Sequence, residues 1–494
     1  MISYLMLYDS VPEAFFLHHA LLLSSFSKLR IGKESYGAML GEQPALADAQ
    51  CIAMPGHAPN DAAQMLEQGK QVLRDRHVAV KEDDRLLVFN MRYYPLDREW
   101  FSHVLDKHAL TDIPLVVMYS GRAALAGMRC ADNPEEMTGP ETAVIENTHD
   151  RFVDIGHTDN VLRLVSSNFS LRWFNSLRAG RTGYFQKCSA DVRKMRAEHA
   201  FLSALPVQVR PFFPVVGDFS EEDGKGGYEI ESVPAFDVAK LLINGRFAAP
   251  ESMDGFMQAL EAYLDACPRQ PCAAQEYTLR MRALFVAKTE ERMDALARLP
   301  AGARLDLICR LHGFESLAHF TAAHLALVEK SIAADSGNEL VFSHGDLCFS
   351  NILFDPITGK MKLIDPKGGA DVFLPAWYDI AKLSHSFLGR YDMLVYGEFS
   401  VSTAEDISPQ LHTVDMPGAG GLEERFLGLL RGRGLDLGTT RLFEAALFLS
   451  MLPLHAESPL RMCGQLLRAL DIHKRLTVAG APLRGAWTWR GDGS

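Results

Sequence analysis

Apolar positions along this chain follow two regimes. In the first third they come in short unbroken runs, and beyond residue 250 they recur mainly at helical spacing. Arg85-Leu-Leu-Val-Phe-Asn90 reads as a buried strand, residues from about Asp97 to His108 as a helix, and Ile113-Pro-Leu-Val-Val-Met-Tyr119 as another buried strand. Strand, helix, strand implies a parallel α/β sheet. Phe152-Val-Asp-Ile-Gly156 adds a short strand closing on glycine. Further on, Gly183-Tyr-Phe-Gln-Lys-Cys188 is strand-like. Asp191 to Leu205 then has helical periodicity, with Val192, Met195, Leu202 and Leu205 on or near one face and Pro206 as the stop. Between 250 and 340 the pattern predicts helices over Met253 to Ala266, Gln275 to Arg298 and Ser316 to Ala333, with Pro250, Pro268, Pro271 and Pro300 separating or bounding them. Asn351-Ile-Leu-Phe354 and Met361-Lys-Leu-Ile364 form two strands of a predicted hairpin with Asp355-Pro-Ile-Thr-Gly359 as its turn. A helix over Ile380 to Leu388 precedes a polar, Gly/Pro-bearing segment from about 398 to 422, which reads as irregular. Leu442 to Pro453 is then a buried helix, 456 to 477 another, and the tail after Pro482 is loose.

The predicted hairpin carries the densest chemistry. Within His344-Gly-Asp-Leu-Cys-Phe-Ser-Asn351, Asp346 precedes Asn351 by five positions, and Asp365 leaves the second strand. Phosphoryl transfer needs such a set. One carboxylate accepts the proton of an attacking hydroxyl, while an amide oxygen and a second carboxylate hold magnesium against nucleotide phosphates. The hairpin places Asn351 and Asp365 at one end of the ribbon. Such a site also needs a lysine for the phosphates and an acid to hold it. Lys187 and Glu198, on the strand and helix upstream, are in the right order.

Composition narrows the class. The chain has 494 residues, which implies two or three domains, and 48% hydrophobic with 23% charged residues is ordinary for a soluble globular protein. A net charge of −12 argues against a broad nucleic-acid-binding face. No uncharged apolar run reaches the length of a membrane span. Ala14 to Phe26 is apolar but short, holds His18 and His19 and lacks a basic leader, so no secretory signal is expected. The eight cysteines are scattered without zinc spacing, as expected of a cytoplasmic protein with reduced thiols.

Residues from about 166 to 480 resemble the aminoglycoside phosphotransferase and choline kinase family, small-molecule kinases with a protein-kinase-like fold. The matching motif is His344, Gly345, Asp346 and Asn351, then Ile364 and Asp365. The resemblance implies an α+β bilobal domain, with an N-lobe over 166–233, a mostly helical C-lobe over 234–480 and a tail over 481–494. It implies ATP and Mg2+ as cofactors and Asp346 as catalytic base. Asn351 and Asp365 become metal ligands, His344 a brace of the loop, and Asp379 in Trp377-Tyr-Asp-Ile-Ala-Lys-Leu383 a support for it. Lys187 and Glu198 become the phosphate-binding ion pair. Glu231, Ser232 and Val233, at the end of Gly227-Tyr-Glu-Ile-Glu-Ser-Val-Pro234, become the adenine-binding hinge. Two departures stand out. Pro366-Lys367 follows the metal aspartate where protein kinases have Phe-Gly, and Asn175-Ser-Leu-Arg-Ala-Gly-Arg-Thr-Gly183 is the best phosphate-loop candidate.

The first 165 residues resemble the C-terminal part of a glycosyltransferase-A-type sugar nucleotidyltransferase, an α/β domain. The strand end that should read Asn-Gly-Asp reads Asn90-Met91-Arg92, placing a cation where the metal carboxylate belongs, whereas Asp154-Ile-Gly156 is retained. A degenerate domain is therefore expected. The fusion resembles bacterial proteins of capsule or lipopolysaccharide synthesis, which implies a sugar, polyol or amino alcohol as acceptor and partners in envelope-glycan assembly. An aminoglycoside-type antibiotic phosphotransferase and a nucleotide-binding scaffold are the alternatives. Protein kinase activity is disfavoured because Asp-Phe-Gly is absent and no Ala-Pro-Glu follows Asp365. Asp371, Phe373, Trp377, Tyr378, Tyr391 and Asp392 are candidate acceptor-pocket residues, and Lys367 and Arg390 favour an anionic or sugar-like acceptor.

Overall fold

The computed structural model describes residues 4–11, 26–28, 30–31, 34–56, 62–78, 86–95, 101–102, 105, 115–117, 143–145, 152–155, 175–179 and 184–478, except 223, 300–301, 368–371, 404–407 and 457. The chain divides into two compact units, 1–170 and 171–494.

Unit 1 is built on a parallel sheet. Its strands are β1 (Tyr4–Tyr8), β2 (Gln50–Ala53), β3 (Leu86–Asn90), β5 (Leu115–Val117) and β6 (Ala143–Ile145), in the spatial order β2-β1-β3-β5-β6. Helix α1 (Ala62–Asp75) buries Met65 and Leu73 against Met6 and Val88 of the sheet. Gly69 permits that approach, because a Cβ there would stand 3.1 Å from the Met6 sulfur. Two short strands, β4 (Tyr93–Pro95) and β7 (Phe152–Asp154), pair antiparallel with Tyr93 opposite Asp154, and Ile155 N donates to Arg92 O at 2.9 Å. The Asn90-Met91-Arg92 and Asp154-Ile155 segments are thus neighbours. Most of the helix expected over 97–108, and Gly156, lie outside the described residues.

Unit 2 opens with a four-stranded antiparallel sheet. Its strands are β8 (Asn175–Ala179), β9 (Tyr184–Ser189), β10 (Val216–Glu222) and β11 (Lys225–Glu231), in the order β8-β9-β11-β10. Helix α2 (Val192–Ser203) packs on it, started by the Asp191 side chain accepting from Lys194 N at 3.0 Å. The turn of the phosphate-loop candidate, residues 180–183, lies outside the described residues.

The rest of unit 2 is mainly helical. Helix α3 (Val238–Ile243) follows a short strand β12 (Phe236–Asp237), and α4 (Pro250–Ala266) has proline in its first turn. Strands β13 (Arg269–Pro271), β14 (Glu339–Phe342) and β17 (Phe373–Leu374) form one small sheet. β12 joins the hairpin of β15 (Ile352–Asp355) and β16 (Lys360–Leu363) in another. The hairpin turn closes with Gly359 at φ +68° and Ile357 N on the Asp355 carboxylate at 2.9 Å.

Helix α5 (Ala274–Arg282) continues through one turn of π-helix, Ala283–Ala287, into α6 (Lys288–Ala297). The single helix expected over 275–298 is therefore continuous but widened in the middle. Helices α7 (Gly302–Leu311) and α8 (Leu317–Ala334, capped by Ser316) follow, and α7 had no counterpart in the sequence reading. Helix α9 (Trp377–Phe387) leads to α10 (Tyr391–Tyr396).

The segment expected to be irregular holds an antiparallel pair, β18 (Phe399–Thr403) and β19 (Pro409–Thr413), and then α11 (Ala419–Gly432). Phe399, Val401 and Leu411 pack onto the core, which gives this pair its buried face. Helix α12 (Leu437–Met451) runs through the centre with almost every residue buried, and α13 (Pro459–Thr477) packs against it. By length and composition Leu437–His455 qualifies as a membrane span, but 78% of its apolar window is covered by the rest of the fold. The loose tail expected after Pro482 lies outside the described residues.

Candidate active site

The upper half of the site follows from strand register. Lys187 on β9 pairs with Tyr228 on β11, so both side chains leave the same face of the sheet. Beneath them α2 presents Glu198, which is 1% exposed. Its Oε1 accepts from Lys187 Nζ and, at 2.5 Å, from Tyr228 Oη. Lys187 Nζ also donates to Asp365 Oδ1 at 2.5 Å. Burial alone would lower the Lys187 pKa, but Asp365 and Glu198 outweigh it and hold the ammonium above its ordinary range. Lys187 is therefore a fixed cation. Tyr228 was not foreseen, because one tyrosine in a strand carries no signal until its cross-strand partner is known.

The lower half is the loop between β14 and β15. Asp379, in the first turn of α9, accepts from His344 N at 2.8 Å and from Gly345 N at 3.0 Å. His344 is buried; its Nδ1 accepts from Asp346 N at 3.2 Å and its Nε2 donates to Ile364 O at 2.9 Å. One ring thereby ties the Asp346 loop to the strand leading into Asp365. Phe213 lies parallel to it, with ring centroids 6.0 Å apart. Burial lowers the His344 pKa, so the ring works as a neutral brace rather than a proton carrier. Gly345 has φ +77°, and a Cβ there would meet Lys367 Cβ at 2.8 Å, so the loop needs glycine.

Asp346 is gripped twice. Asn351 Nδ2 donates to its backbone oxygen at 2.8 Å and to its Oδ2 at 3.2 Å. Lys382 of α9, 7% exposed at its side chain, lies 2.8 Å from Oδ1. Burial would raise the Asp346 pKa, yet Lys382 overrides it and holds the carboxyl well below the usual range. Lys382 was missed, although it stands in the quoted segment Trp377 to Leu383. A helical lysine reads as a surface charge until tertiary structure turns it inward. Asp365 sits at the end of β16 with φ +56°, a strained backbone for a residue with a side chain, and its carboxylate is 48% exposed.

Asn351 Oδ1 and the Asp365 carboxylate are hard oxygen donors, the kind magnesium takes alongside phosphate and water. Since Nδ2 of Asn351 is committed to Asp346, its amide oxygen is turned away from that residue. Among the described residues no cluster of three or more His, Cys, Asp or Glu side chains is placed to bind a metal unaided. A divalent ion here would thus depend on phosphate oxygens as well. The residues fit that kind of site.

At the hinge position, Glu231 N donates to Val215 O at 2.8 Å and the Glu231 carboxylate accepts from Val215 N at 2.9 Å. Its side chain fastens the end of β11, and Ser232 and Val233 continue as half-buried connecting backbone. Several proposed pocket residues have structural roles instead. Arg390 is bound to Glu423 at 2.6 Å, Tyr391 stacks on His385 with centroids 4.2 Å apart, and Trp377 Nε1 donates to Asp335 at 2.9 Å. Asp392 is buried and Phe373 belongs to β17. Asp371 lies outside the described residues. Tyr378 stands apart, because Lys288 Nζ donates to its hydroxyl at 2.6 Å.

No family model matches the chain, and no curated protein matches it. Solved structures that it resembles include aminoglycoside phosphotransferases and a choline kinase. Aminoglycoside phosphotransferase APH(4)-Ia, as a thermostable mutant in a ternary complex with AMP-PNP and hygromycin B, is 12% identical, covering 62% of this chain and 92% of that one with a TM-score of 0.41. The Streptomyces rimosus enzyme APH(3'')-Id in complex with ADP and streptomycin is 18% identical over 60% of this chain and 97% of its own, with a TM-score of 0.33. Choline kinase from Cryptosporidium parvum is 12% identical over 62% and 88%, with a TM-score of 0.33. At these values the likeness carries no functional weight.

Proposed function

We propose that unit 2 is an ATP- and magnesium-dependent phosphotransferase acting on a hydroxyl of a small molecule. The observation that carries this reading is the pairing of Lys187 with both Glu198 and Asp365. It joins the four-stranded sheet to the end of the hairpin, beside a loop that presents Asp346. Nucleotide phosphates entering there would take over the Lys187 ammonium from Asp365 and free that carboxylate. Magnesium, held by Asn351 and Asp365, offsets charge on the β- and γ-phosphate oxygens when bound. The backbone of Glu231 to Val233 takes the adenine edge. Asp346 receives the acceptor hydroxyl. As the acceptor oxygen bonds to the γ-phosphorus, the bond to the β-bridging oxygen breaks and the hydroxyl proton passes to the Asp346 carboxylate. ADP and a phosphorylated acceptor result. With Lys382 holding it ionised, Asp346 is a weak base and mainly an orienting group, which suits a loose transition state.

The acceptor belongs, on this reading, to the sugars, polyols or amino alcohols, with a role in bacterial surface-polysaccharide assembly. Supporting it, the Asn90-Met91-Arg92 and Asp154-Ile155 segments of unit 1 lie side by side, as the two motif ends of a degenerate nucleotidyltransferase would. A pure scaffold role fits poorly with the joint presence of Lys187, Glu198, Asp346, Asn351 and Asp365. The test is ATP-dependent phosphorylation of a panel of sugars, polyols and amino alcohols with the full chain. Asp346→Ala should lower kcat by about 10²–10⁴. Asp365→Ala should chiefly weaken magnesium-dependent binding of AMP-PNP. Tight nucleotide binding by Asp365→Ala at any magnesium concentration, or full turnover by Asp346→Ala, refutes the assignment.

A further inference from the structure

Beyond the nucleotide groups, one wall of the site holds cations in addition to the Lys382 ammonium that grips Asp346. Helix α6 begins with Lys288, whose Nζ donates to Tyr378 Oη at 2.6 Å and lies 5.1 Å from the Tyr378 ring centroid. Lys367, just past Asp365, places its Nζ 5.5 Å from the same ring. Arg292, one turn beyond Lys288 on the same helix face, has a buried Nη1 with no hydrogen-bond partner among the described residues. Lys382, on the same helix as Tyr378, reaches Asp346. Among the described residues, the carboxylates of this region are committed: Asp346 to Lys382 and Asn351, Asp365 to Lys187, and Asp379 to the amides of His344 and Gly345.

Cations crowd together this closely only at an energetic cost. Burial, then the charges of Lys382, Lys367 and Arg292, pushes the Lys288 pKa down to about 7 against the opposing pull of Asp346. A polycationic or quaternary-ammonium acceptor would meet the same repulsion. An anion would relieve it.

We propose that the acceptor carries its own carboxylate or phosphate, which docks against Lys288, Arg292 and Lys367 beside Tyr378 while its hydroxyl meets Asp346. This rests on the phosphotransferase reading above and specifies its substrate class. Tyr378, itself buried in the core, fixes the Lys288 ammonium through its hydroxyl, and the anion fixes the distance from the docking group to the reacting hydroxyl. Sugar acids, sugar phosphates and phosphorylated or carboxylated polyols fit.

The experiment compares glycerol 3-phosphate, glycerate, glycerol, choline and an aminoglycoside by calorimetry on the full chain with ADP and magnesium, for wild type, Lys288→Met and Arg292→Met. Thermal melts check that each variant folds. Wild type should bind one or both anionic probes at least about tenfold tighter than glycerol, and choline and the aminoglycoside most weakly. Whichever of glycerate and glycerol 3-phosphate binds tighter identifies the anionic group. Each substitution should remove most of that preference and change ADP affinity by less than about threefold. Equal binding of charged and uncharged probes, no binding of either anion, or a preference for the cations overturns the proposal. So does a loss of ADP affinity in Lys288→Met that outweighs the loss for the anion, since the cations would then serve the nucleotide. Failure of wild type to bind ADP and magnesium at all would instead defeat the phosphotransferase reading itself.

Discussion

Replacing Lys382 by methionine isolates what holds Asp346 in place. The ammonium lies 2.8 Å from the carboxylate and is almost fully buried. At that distance and an effective dielectric of about 20, the gross attraction is about 6 kcal/mol. Desolvation consumes much of it, leaving about 1.5–3 kcal/mol for a charge-assisted contact. At about 1.36 kcal/mol per pH unit, the Asp346 pKa should rise by about one to two units in Lys382→Met. Burial, the opposing influence, would then act unchecked. The sign follows: a carboxylate depressed in the wild type loses its charge only at very low pH, whereas the variant loses it closer to neutrality. The acidic limb of the kcat/KM profile should therefore move upward, and kcat on the plateau should fall by about 10²–10³ as Asp346 loses the contact that orients it. Phosphate transfer measured from the most acidic pH at which a thermal melt shows each protein folded up to about pH 9, with AMP-PNP binding as a second control, reads both effects. Lys382→Arg should restore part of the rate and return the acidic limb toward its wild-type position. An acidic limb unmoved in Lys382→Met, with kcat within about twofold of wild type, refutes the role given to Lys382.

Two further substitutions follow from the same site. Glu198→Gln removes one partner of a pair buried to 4% and 1% exposure, so unit 2 should lose about 3 kcal/mol of stability and ATP·Mg affinity should drop at least tenfold. A melting temperature and nucleotide Kd equal to wild type would contradict the ion-pair account. Gly345→Ala forces a left-handed backbone on a residue with a side chain, costing about 1–2 kcal/mol, and pushes on Lys367. Turnover should fall more than nucleotide affinity, and a kcat equal to wild type in a folded Gly345→Ala protein would show that the loop tolerates the shift.

Much of this was visible in residue patterns, for reasons that lie in local chemistry. The hairpin of β15 and β16 announces itself through two apolar tetrads around Asp355-Pro-Ile-Thr-Gly359, because turn chemistry and strand alternation act within a few residues. Helices α2, α4 and α8 were legible from Asp191, Pro250 and Ser316 at their starts. Strand β1 was not, since Tyr4 to Tyr8 is a plain apolar run whose identity comes from pairing on both sides with β2 and β3. The β18 and β19 pair escaped because half of its residues are Ser, Thr or His, and its apolar contacts with the core come from the separated Phe399, Val401 and Leu411. In the site, the spacing of Asp346 and Asn351 could be read directly, because their link is five residues long. Lys382, Tyr228 and Lys288 could not, because each acquires its meaning from a partner far away in sequence.

The widened turn at Ala283–Ala287 stands immediately before Lys288. Ordinary α-helical winding advances about 100° per residue, so the same residues wound without the bulge would swing Lys288 away from Tyr378. The wide turn decouples two faces: α5 keeps Tyr277 and Met281 in the hydrophobic interior while α6 aims its first lysine at the Tyr378 hydroxyl. A single codon gained or lost there can be absorbed by the loop in the ladder, without turning either flanking segment. On the acceptor-docking proposal, a point mutation that tightens it would, by contrast, change which acceptor binds while leaving Lys187, Glu198, Asn351 and Asp365 untouched.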